Sequence, residues 1–458
     1  MRLTPLFIMF LVVVHGSAMA QQSLSLSEAA EMAFASNHAI KAAEYHALAA
    51  KRSKQATKGL FAPQINIRSA WVHAQRDIGV DFNPLKNLLG TLDIAPLLGL
   101  DWSYTIQSRN FGFIEADITV PIFTGGKIIA ASRAATLAEQ VAISESKAQK
   151  EATLTELISR YFGLSLAKSI VALREQVVEG MQRHLSDITA LKQNGMATVA
   201  DSLYIQYRLA KAEQQASEAR ATLQTAHSAL CTTAGCDSIA TLTTPIFYLA
   251  TIEPLNHFID TAEQLNPQLE QVAHQKELAR QNIAIHRADF MPQIAAMGGG
   301  AFTRRVTDLL PRWAVGVGVN FKIFDGLRKE YQYFAAKSTY NRVEQLELEA
   351  KGDISLLVTS LYNQASAALE RVFALQKSID FAKEYLLLKQ SAFYEGAATS
   401  TAVIDATIEL AAAQIEQLQS AYSFDIALAQ LLEAAGAGEQ YFRYSDSYNK
   451  QPISYEAK

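Results

Sequence analysis

The sequence has few of the residues that mark several common protein classes. Only two of its 458 residues are cysteine, and it contains 11 prolines and three tryptophans. Two cysteines cannot provide the disulfide framework of a small secreted domain. Lysine and arginine together number 41 against 45 acidic residues. Without a basic run or a basic balance, a surface that binds nucleic-acid phosphates is not indicated.

Long hydrophobic segments are also missing beyond the first 20 residues. Residues 1–20 contain Arg2, then an apolar stretch, then the small-residue end Ala18-Met19-Ala20, which is the pattern of a secretory signal peptide. No later segment supplies the roughly 20 apolar residues that a transmembrane helix needs. We therefore expect an exported protein in which any membrane span is a β-strand.

Motifs for catalysis are absent too. The nine histidines are scattered, with no His-Glu-x-x-His, Gly-x-Ser-x-Gly or phosphate-binding glycine loop. Cys231 and Cys236 can close a small disulfide loop in an exported protein, but too few ligands accompany them for a metal site. Glu115 and Asp117 could form an acid–base pair on one strand face, although we prefer charges that face a lumen. We expect no enzyme, cofactor or metal.

What the chain does contain is a duplication. Residues 61–65 (FAPQI) recur as residues 290–294 (FMPQI) at an offset of 290 − 61 = 229, and residues 122–125 (IFTG) recur as 323–326 (IFDG) at 323 − 122 = 201. The first copy therefore has 229 − 201 = 28 extra residues, which we assign to a loop within 77–110. Internal repeats of this kind indicate one structural unit used twice.

Each copy predicts the same order of elements. A helix (27–60 and 254–289) is followed by a weaker strand (65–71 and 294–302) and then by a strong strand (111–123 and 313–324) in which apolar and polar residues alternate. Next come 68 proline-free residues (127–194 and 327–394), each about 100 Å long as a helix. Gly195 and Gly396 end these helices, and helical patterns resume at 198–230 and 399–435, so each copy ends in an antiparallel helical hairpin.

Four strands from one chain cannot close a barrel, and open strand edges are not stable in lipid. Three chains would supply 3 × 4 = 12 strands, enough for a closed barrel with a water-filled bore. The prediction is an α+β membrane protein. It is a trimeric twelve-stranded β-barrel with four strands per chain, continued by a long α-helical barrel of coiled-coil hairpins.

In this arrangement the chain resembles the TolC family of outer-membrane efflux proteins. The resemblance rests on residues 24–30 (LSLSEAA), Pro63-Gln64, residues 120–125 (VPIFTG), Asn194-Gly195 and Gly396. It implies a homotrimer in the outer membrane of a Gram-negative bacterium, with the helical stem in the periplasm and a small equatorial domain midway along that stem. It also implies two partners, a periplasmic adaptor (membrane fusion) protein and an inner-membrane pump. The implied function is passive conduction of substrates to the exterior, as the channel subunit of a tripartite efflux or type I secretion system.

The resemblance also assigns candidate residues. Gate or constriction residues are Asp201, Asp405 and Phe393; adaptor-docking residues are Gly195, Met196, Ala197, Gly396 and Ala397; lumen-facing barrel residues are Glu115, Asp117, Asn320 and Lys322. Ala398 occupies a position at which some members have an arginine that links neighbouring hairpins. A structural reading of Asp201 and Asp405 stays open, because carboxylates are favoured in the first turn of a helix.

The resulting organisation is a signal peptide (1–20), a first repeat (21–252), a second repeat (253–435) and a C-terminal equatorial segment (436–458). One alternative explains the long helices equally well. In it, the chain is a periplasmic or surface coiled-coil scaffold or adhesin without a pore, and its strands form a soluble head. The alternation of the strands fits both interpretations.

Overall fold

The computed structural model describes residues 23–84, 103–236, 238–239, 241–302, 311–447 and 450–453. The predicted signal peptide and most of the predicted 77–110 loop lie outside these residues. The described residues form two compact units. The hairpin unit contains the described residues within Met1–Ala43, Glu145–Leu269 and Lys351–Lys458, and the sheet unit contains those within Glu44–Ser144 and Glu270–Ala350.

The elements follow the predicted order in both halves of the chain. The first half contains β1 (Ser23–Leu24), α1 (Leu26–Ser36), α2 (His38–Lys58), β2 (Gln64–His73), β3 (Ile78–Asp81), β4 (Ser103–Gln107), β5 (Asn110–Phe123), α3 (Lys127–Gln193) and α4 (Val199–Ala234). The second half contains β6 (Thr241–Leu242), β7 (Phe247–Leu249), α5 (Leu255–Leu265), α6 (Pro267–Ala288), β8 (Gln293–Ala301), β9 (Trp313–Asn320), α7 (Arg328–Tyr394), α8 (Ser400–Ala434), α9 (Tyr441–Ser445) and β10 (Lys450–Pro452). Among the described helices, none combines the length and the apolar character that crossing a membrane requires.

The first helix of each half was predicted as one continuous helix, and this is wrong. Asn37 separates α1 from α2, and Asn266 separates α5 from α6, each with an extended backbone (ψ 125° and 120°). The asparagine Oδ1 then accepts hydrogen bonds from the first turn of the next helix, at Ala39 N and Gln268 N, both 2.8 Å away. The break therefore costs little, because the side chain caps the helix that follows.

The sheet unit contains one four-stranded antiparallel sheet in the order β2-β5-β8-β9. One of its faces is apolar and exposed, through Ile65, Ile67 and Trp71 on β2, Ile114, Ile118 and Ile122 on β5, and Val315, Val317 and Val319 on β9. Of the described strands, β2 and β9 form the two edges of this sheet. An exposed apolar face with two open edges requires a lipid or protein environment to cover it.

The core of the hairpin unit is aromatic around the C-terminal segment. Tyr161, Phe162, Phe247 and Tyr441 are fully buried, and their rings contact one another with centroid distances of 5.4–6.3 Å. Strand β7 pairs with β10, so two segments far apart in sequence are hydrogen-bonded together. The final helical segment is thereby attached to α3 and α8.

Cys231 and Cys236 do not form the predicted disulfide in the structure. Cys231 lies in the last turn of α4, and its Sγ is directed toward Nδ1 of His227, 3.8 Å away and one turn earlier on the same helix. Because of this orientation, the Cys231 thiol packs against its own helix.

Glu151 connects α3 to the C-terminal segment and gives the hairpin unit a pH dependence. Its Oε2 accepts a hydrogen bond from Gly438 N at 2.8 Å. Burial, with Glu439 and Glu433 nearby, raises the pKa of Glu151 from its ordinary value of 4.5 to about 7, against the effect of the Gly438 bond. The folded protein therefore keeps a proton on Glu151 over a pH range in which the unfolded chain releases it.

We expect the free energy of unfolding to fall as the pH rises from about 4.5 to about 7. Glu151→Gln keeps an acceptor for Gly438 but cannot ionise, so its unfolding midpoint should exceed that of the wild type at pH 8 and nearly equal it at pH 5. Thermal unfolding in detergent, followed by circular dichroism, measures both. Glu409→Gln, at an exposed carboxylate of α8, is the control. Equal midpoints for Glu151→Gln and wild type at pH 8 would contradict the prediction.

Candidate functional site

The two helical hairpins turn in the same way. Helix α3 ends two residues before Gly195, whose φ is +73°, and α7 ends two residues before Gly396, whose φ is +75°. In each turn the glycine N–H bonds the carbonyl three residues before it, and the next N–H bonds the carbonyl five residues before it, at 2.8–3.0 Å. This is the Schellman arrangement, which satisfies helix-end carbonyls and needs a left-handed residue. Both glycines therefore have a structural role.

Asp201 is held by its own helix. Thr198 Oγ1 accepts a hydrogen bond from Asp201 N at 3.1 Å, and Asp201 Oδ2 accepts one from Thr198 N at 3.0 Å. This capping box, and above all the hydroxyl of Thr198, lowers the pKa of Asp201. In the second hairpin Thr399 caps α8 in the same way, but the corresponding third position is Ala402. The structure thus assigns Asp201 a capping role, which was the structural reading left open above.

Asp405 lies one to two turns into α8 and forms an ion pair with Arg208 of α4. The Arg208 Nη2 to Asp405 Oδ1 distance is 2.9 Å. Arg208 also lies over the ring of Tyr204, one turn earlier on α4, at 5.7 Å from the ring centroid. Sequence reasoning missed Arg208 because it pairs with a residue 197 positions away.

A signal for this pair was nevertheless present in the duplication. The repeat offset aligns Tyr204 with Asp405 (405 − 204 = 201) and Arg208 with Glu409 (409 − 208 = 201). The first hairpin therefore has an aromatic residue and a cation four residues apart. The second hairpin has two carboxylates at the corresponding positions. Positions four apart on a helix share a face, so complementary charge between the two hairpins could have been proposed from the sequence.

An apolar cluster lies beside this ion pair. Its buried members come from three helices: Val177 and Met181 of α3, Ile205 and Ala212 of α4, and Ile404 and Ala411 of α8. Tyr204 and Ile408 pack against it. Because the cluster joins both hairpins of one chain, the charged pair is held at the edge of a packed interface and not on isolated helices.

Phe393 contacts a second set of polar residues near the turns. Its ring meets the buried His184 ring edge to face, with centroids 5.0 Å apart, and His184 Nε2 lies 2.8 Å from Ser400 Oγ. Beside it, Tyr394 donates a hydrogen bond to Asp187 Oδ2 at 3.1 Å. A cavity of about 380 Å³ is lined by Phe393, Tyr394, His184 and Asp187 and by neighbouring residues of α3, α7 and α8.

Two pKa values are shifted around this cavity. Burial lowers the pKa of His184, although Asp187 opposes the effect. The hydrogen bond to Asp187 raises the pKa of Tyr394. Both groups are therefore neutral near pH 7. The hairpins are joined here by a hydrogen bond between the uncharged His184 and Ser400, and by one from the Tyr394 phenol to the Asp187 carboxylate.

The three predicted gate residues do not form one cluster within the chain. Asp201 is bound in its own cap, Asp405 pairs with Arg208, and Phe393 contacts His184 edge to face. The predicted docking residues differ in exposure. Gly195, Met196, Gly396 and Ala397 are exposed, Met196 to 69%, and Ala197 is half-buried.

The polar residues of the sheet share one face. Register pairs Asn66 with Asp117 and Arg68 with Glu115, and Asp117 contacts both Asn66 Nδ2 and Arg68 Nη2 at 3.0 Å. Asn320 closes β9 opposite Gln293. Lys322, predicted inside that strand, lies two residues beyond its end. Beyond the strand end, the carbonyls of Lys322 and Ile323 accept hydrogen bonds from Lys329 Nζ.

Within the described residues, no group of three or more His, Cys, Asp or Glu side chains is arranged to hold a metal ion.

Comparison with known proteins gives these features a context. Residues 258–437 match the family model for outer membrane efflux proteins. Among curated proteins, the chain is similar to the alkaline protease secretion protein AprF of Pseudomonas aeruginosa, at 23% identity over 303 residues, or 63% of this chain. The chain spans 62% of the length of that relative.

Solved structures share the fold over nearly the whole chain. The outer membrane protein VceC of Vibrio cholerae has a TM-score of 0.72 at 17% identity, covering 90% of this chain and 96% of VceC. The outer membrane channel MtrE of Neisseria gonorrhoeae has a TM-score of 0.69 at 15% identity, covering 90% and 89%.

The resemblance to the TolC family of outer-membrane efflux proteins is confirmed. The match to the family model falls on the second half of the chain, whereas the shared fold extends over both halves.

Proposed function

We propose that this chain is the outer-membrane channel subunit of a tripartite efflux or type I secretion system. In this role it conducts substrates passively from an inner-membrane pump and its periplasmic adaptor to the exterior. The observation that carries the proposal is the four-stranded sheet with an exposed apolar face and two open edges, in a chain whose fold matches outer-membrane channels. Such a sheet is stable in lipid only if its edges are paired.

The assembly that pairs those edges is proposed to be a homotrimer. Three copies bring 3 × 4 = 12 strands from the observed four, and strand β9 of one copy would pair with β2 of the next to close a barrel. The apolar face would contact outer-membrane lipid. The opposite face, with Glu115, Asp117, Asn320 and, just beyond β9, Lys322, would line a water-filled lumen.

The helical hairpins are proposed to extend into the periplasm and end at the constriction. There, Asp405 and Phe393 would lie at the narrow end, with Asp201 fixing the first turn of α4. The division into a signal peptide (1–20), two repeats (21–252 and 253–435) and a C-terminal equatorial segment (436–458) belongs to the same proposal. The relative AprF is described as an alkaline protease secretion protein. The proposed substrates therefore include polypeptides as well as small molecules.

Adaptor docking is proposed at the two turns, Gly195-Met196-Ala197 and Gly396-Ala397. Exposed small and apolar residues with a fixed backbone offer a surface that a partner can cover without reorganising the helix ends. Ala397→Trp should reduce export from cells while leaving the yield of trimer unchanged. Undiminished export by that variant would count against docking at this turn.

The experiment that tests the proposed function is single-channel recording of the purified protein in a planar bilayer, with its oligomeric mass measured in the same detergent. Trimers that conduct discrete currents are the expected result. A water-soluble, non-conducting oligomer would instead support the coiled-coil scaffold without a pore.

A further inference from the structure

We propose that Arg208 sets the charge selectivity of the constriction by neutralising Asp405, so that the pair, and not a ring of bare carboxylates, faces the permeating ions. This inference rests on the proposed function, because it concerns what ions experience near the helical turns. It adds a residue that family resemblance does not supply and changes the role expected of Asp405.

The geometry shows that Arg208 is held in place and does not sample solvent freely. Its guanidinium contacts Asp405 at 2.9 Å and lies over the Tyr204 ring, within the distance at which a cation is attracted by an aromatic face. The Arg208 side chain is 22% exposed, and that of Asp405 is 55% exposed. The cation is therefore the more enclosed partner, and the carboxylate is the one that faces water.

Charge, and not stability, is what this pair contributes. An ion pair with an exposed partner adds little to the free energy of unfolding. In addition, Arg208 Nε is buried without a hydrogen-bond partner among the described residues, which is a cost that an uncharged replacement removes. The adjacent apolar cluster, which includes the buried Ile205 and Ile404, packs the two hairpins together without the ion pair. Replacing Arg208 should thus change the local charge while the fold persists.

Three ion pairs and a ring of three bare carboxylates differ in net charge. One Arg208–Asp405 pair carries no net charge, so three pairs around an axis also sum to zero. Removing only the cation exposes three negative charges, and removing only the anion exposes three positive ones. In a narrow, poorly screened passage, charges of one sign concentrate ions of the other.

The test is the reversal potential of single channels in a salt gradient, which gives the ratio of cation to anion permeability. Arg208→Gln should raise this ratio several-fold, Asp405→Asn should lower it below the wild-type value, and the double variant should return close to wild type. Arg208→Lys keeps the charge and should retain wild-type selectivity. Arg220→Gln is the matched control, because Arg220 lies on the same helix in an ion pair with Glu175 at 2.7 Å, twelve residues farther from the turn.

An unchanged permeability ratio in Arg208→Gln would overturn the inference while leaving the channel intact. Wild-type protein without any current would overturn the proposed function instead, so the two failures are distinguishable. If Arg208→Gln does not assemble, the exchanged variant Arg208→Asp with Asp405→Arg preserves the pair. Its selectivity should match the wild type, and a large change in its ratio would refute the role assigned to the pair.

Discussion

Gly436→Ala is expected to destabilise the hairpin unit strongly, whereas Gly396→Ala is expected to be tolerated. Gly436 follows α8 and has a φ of +70°. A Cβ at this position would lie 2.3 Å from the Leu265 carbonyl oxygen and 2.8 Å from Asn266 N. Those atoms belong to backbone, which cannot move aside as a flexible side chain can. Two penalties therefore add, one for the left-handed conformation and one for the collision.

The collision partner is the break between α5 and α6, which explains why the site is so tight. Asn266 Nδ2 donates a hydrogen bond to the carbonyl of Ala434 at 2.8 Å, so the end of α8 is bonded directly to the break. A left-handed conformation costs an alanine about 1–2 kcal/mol, and overpacking adds about 1–3 kcal/mol. Together they are a large part of the stability of an ordinary domain.

Gly396 isolates the conformational part of that cost. Its φ is +75°, and it follows α7 in the same type of turn. Apart from its two chain neighbours, no described residue has a heavy atom within 4 Å of the position that an alanine Cβ would occupy there. Folded yield from membranes and the thermal unfolding midpoint in detergent measure both variants. We expect Gly436→Ala to lower both quantities strongly and Gly396→Ala to unfold a few degrees below wild type. Similar midpoints for the two variants would show that the packing around Gly436 is looser than the structure indicates.

The regular elements were predictable because their patterns are long and simple. Strand β5 was predicted as 111–123 and is Asn110–Phe123, and α7 was predicted as 327–394 and is Arg328–Tyr394. Alternation over a dozen residues fixes a strand, and a proline-free run that ends at glycine fixes a helix. The ends of β5 and α7 were therefore predicted to within one residue.

Elements shaped by single side chains were not predictable in the same way. Strand β9 ends at Asn320, opposite the first residue of β8, and the Lys329 ammonium bonds the carbonyls of Lys322 and Ile323 beyond that end. The break at Asn37 interrupts an alanine-rich helix without proline or glycine. For Asn266 a signal existed, because the residue before a proline avoids helical backbone and proline favours the first helical position, and Pro267 follows it.

The candidate site shows the same limit at longer range. The turns at Gly195 and Gly396 and the capping position of Asp201 follow from local sequence. The partners of Asp405 and Phe393 come from other helices, Arg208 from α4 and His184 from α3. A pairing between helices depends on their relative rotation, which a single hydrophobic pattern does not specify.

Asp425→Ala is expected to destabilise the hairpin unit strongly, because Asp425 is a fully buried carboxyl that accepts two hydrogen bonds. Phe247 N donates to its Oδ2 at 3.3 Å, and the Tyr441 hydroxyl donates to its Oδ1 at 3.1 Å. Alanine would leave both buried donors without an acceptor, at about 1–3 kcal/mol each, and would add a small cavity. The predicted loss is about 2–6 kcal/mol by that sum. The free energy of unfolding, measured by denaturant titration in detergent, tests it.

Two variants at position 425 distinguish the loss of the hydrogen-bonding group from the loss of the ionisable group. Burial raises the pKa of Asp425 well above its ordinary value, so Asp425→Asn should be much less damaging than Asp425→Ala, since an amide can donate to Tyr441 and accept from Phe247. Tyr441→Phe removes the hydroxyl that donates to Asp425, and its loss of stability should lie between those of Asp425→Asn and Asp425→Ala. Ser423→Ala, at an exposed position of the same helix, should be nearly neutral. If Asp425→Ala unfolded at the same denaturant concentration as Ser423→Ala, this buried network would not be what attaches β7 and α9 to α8.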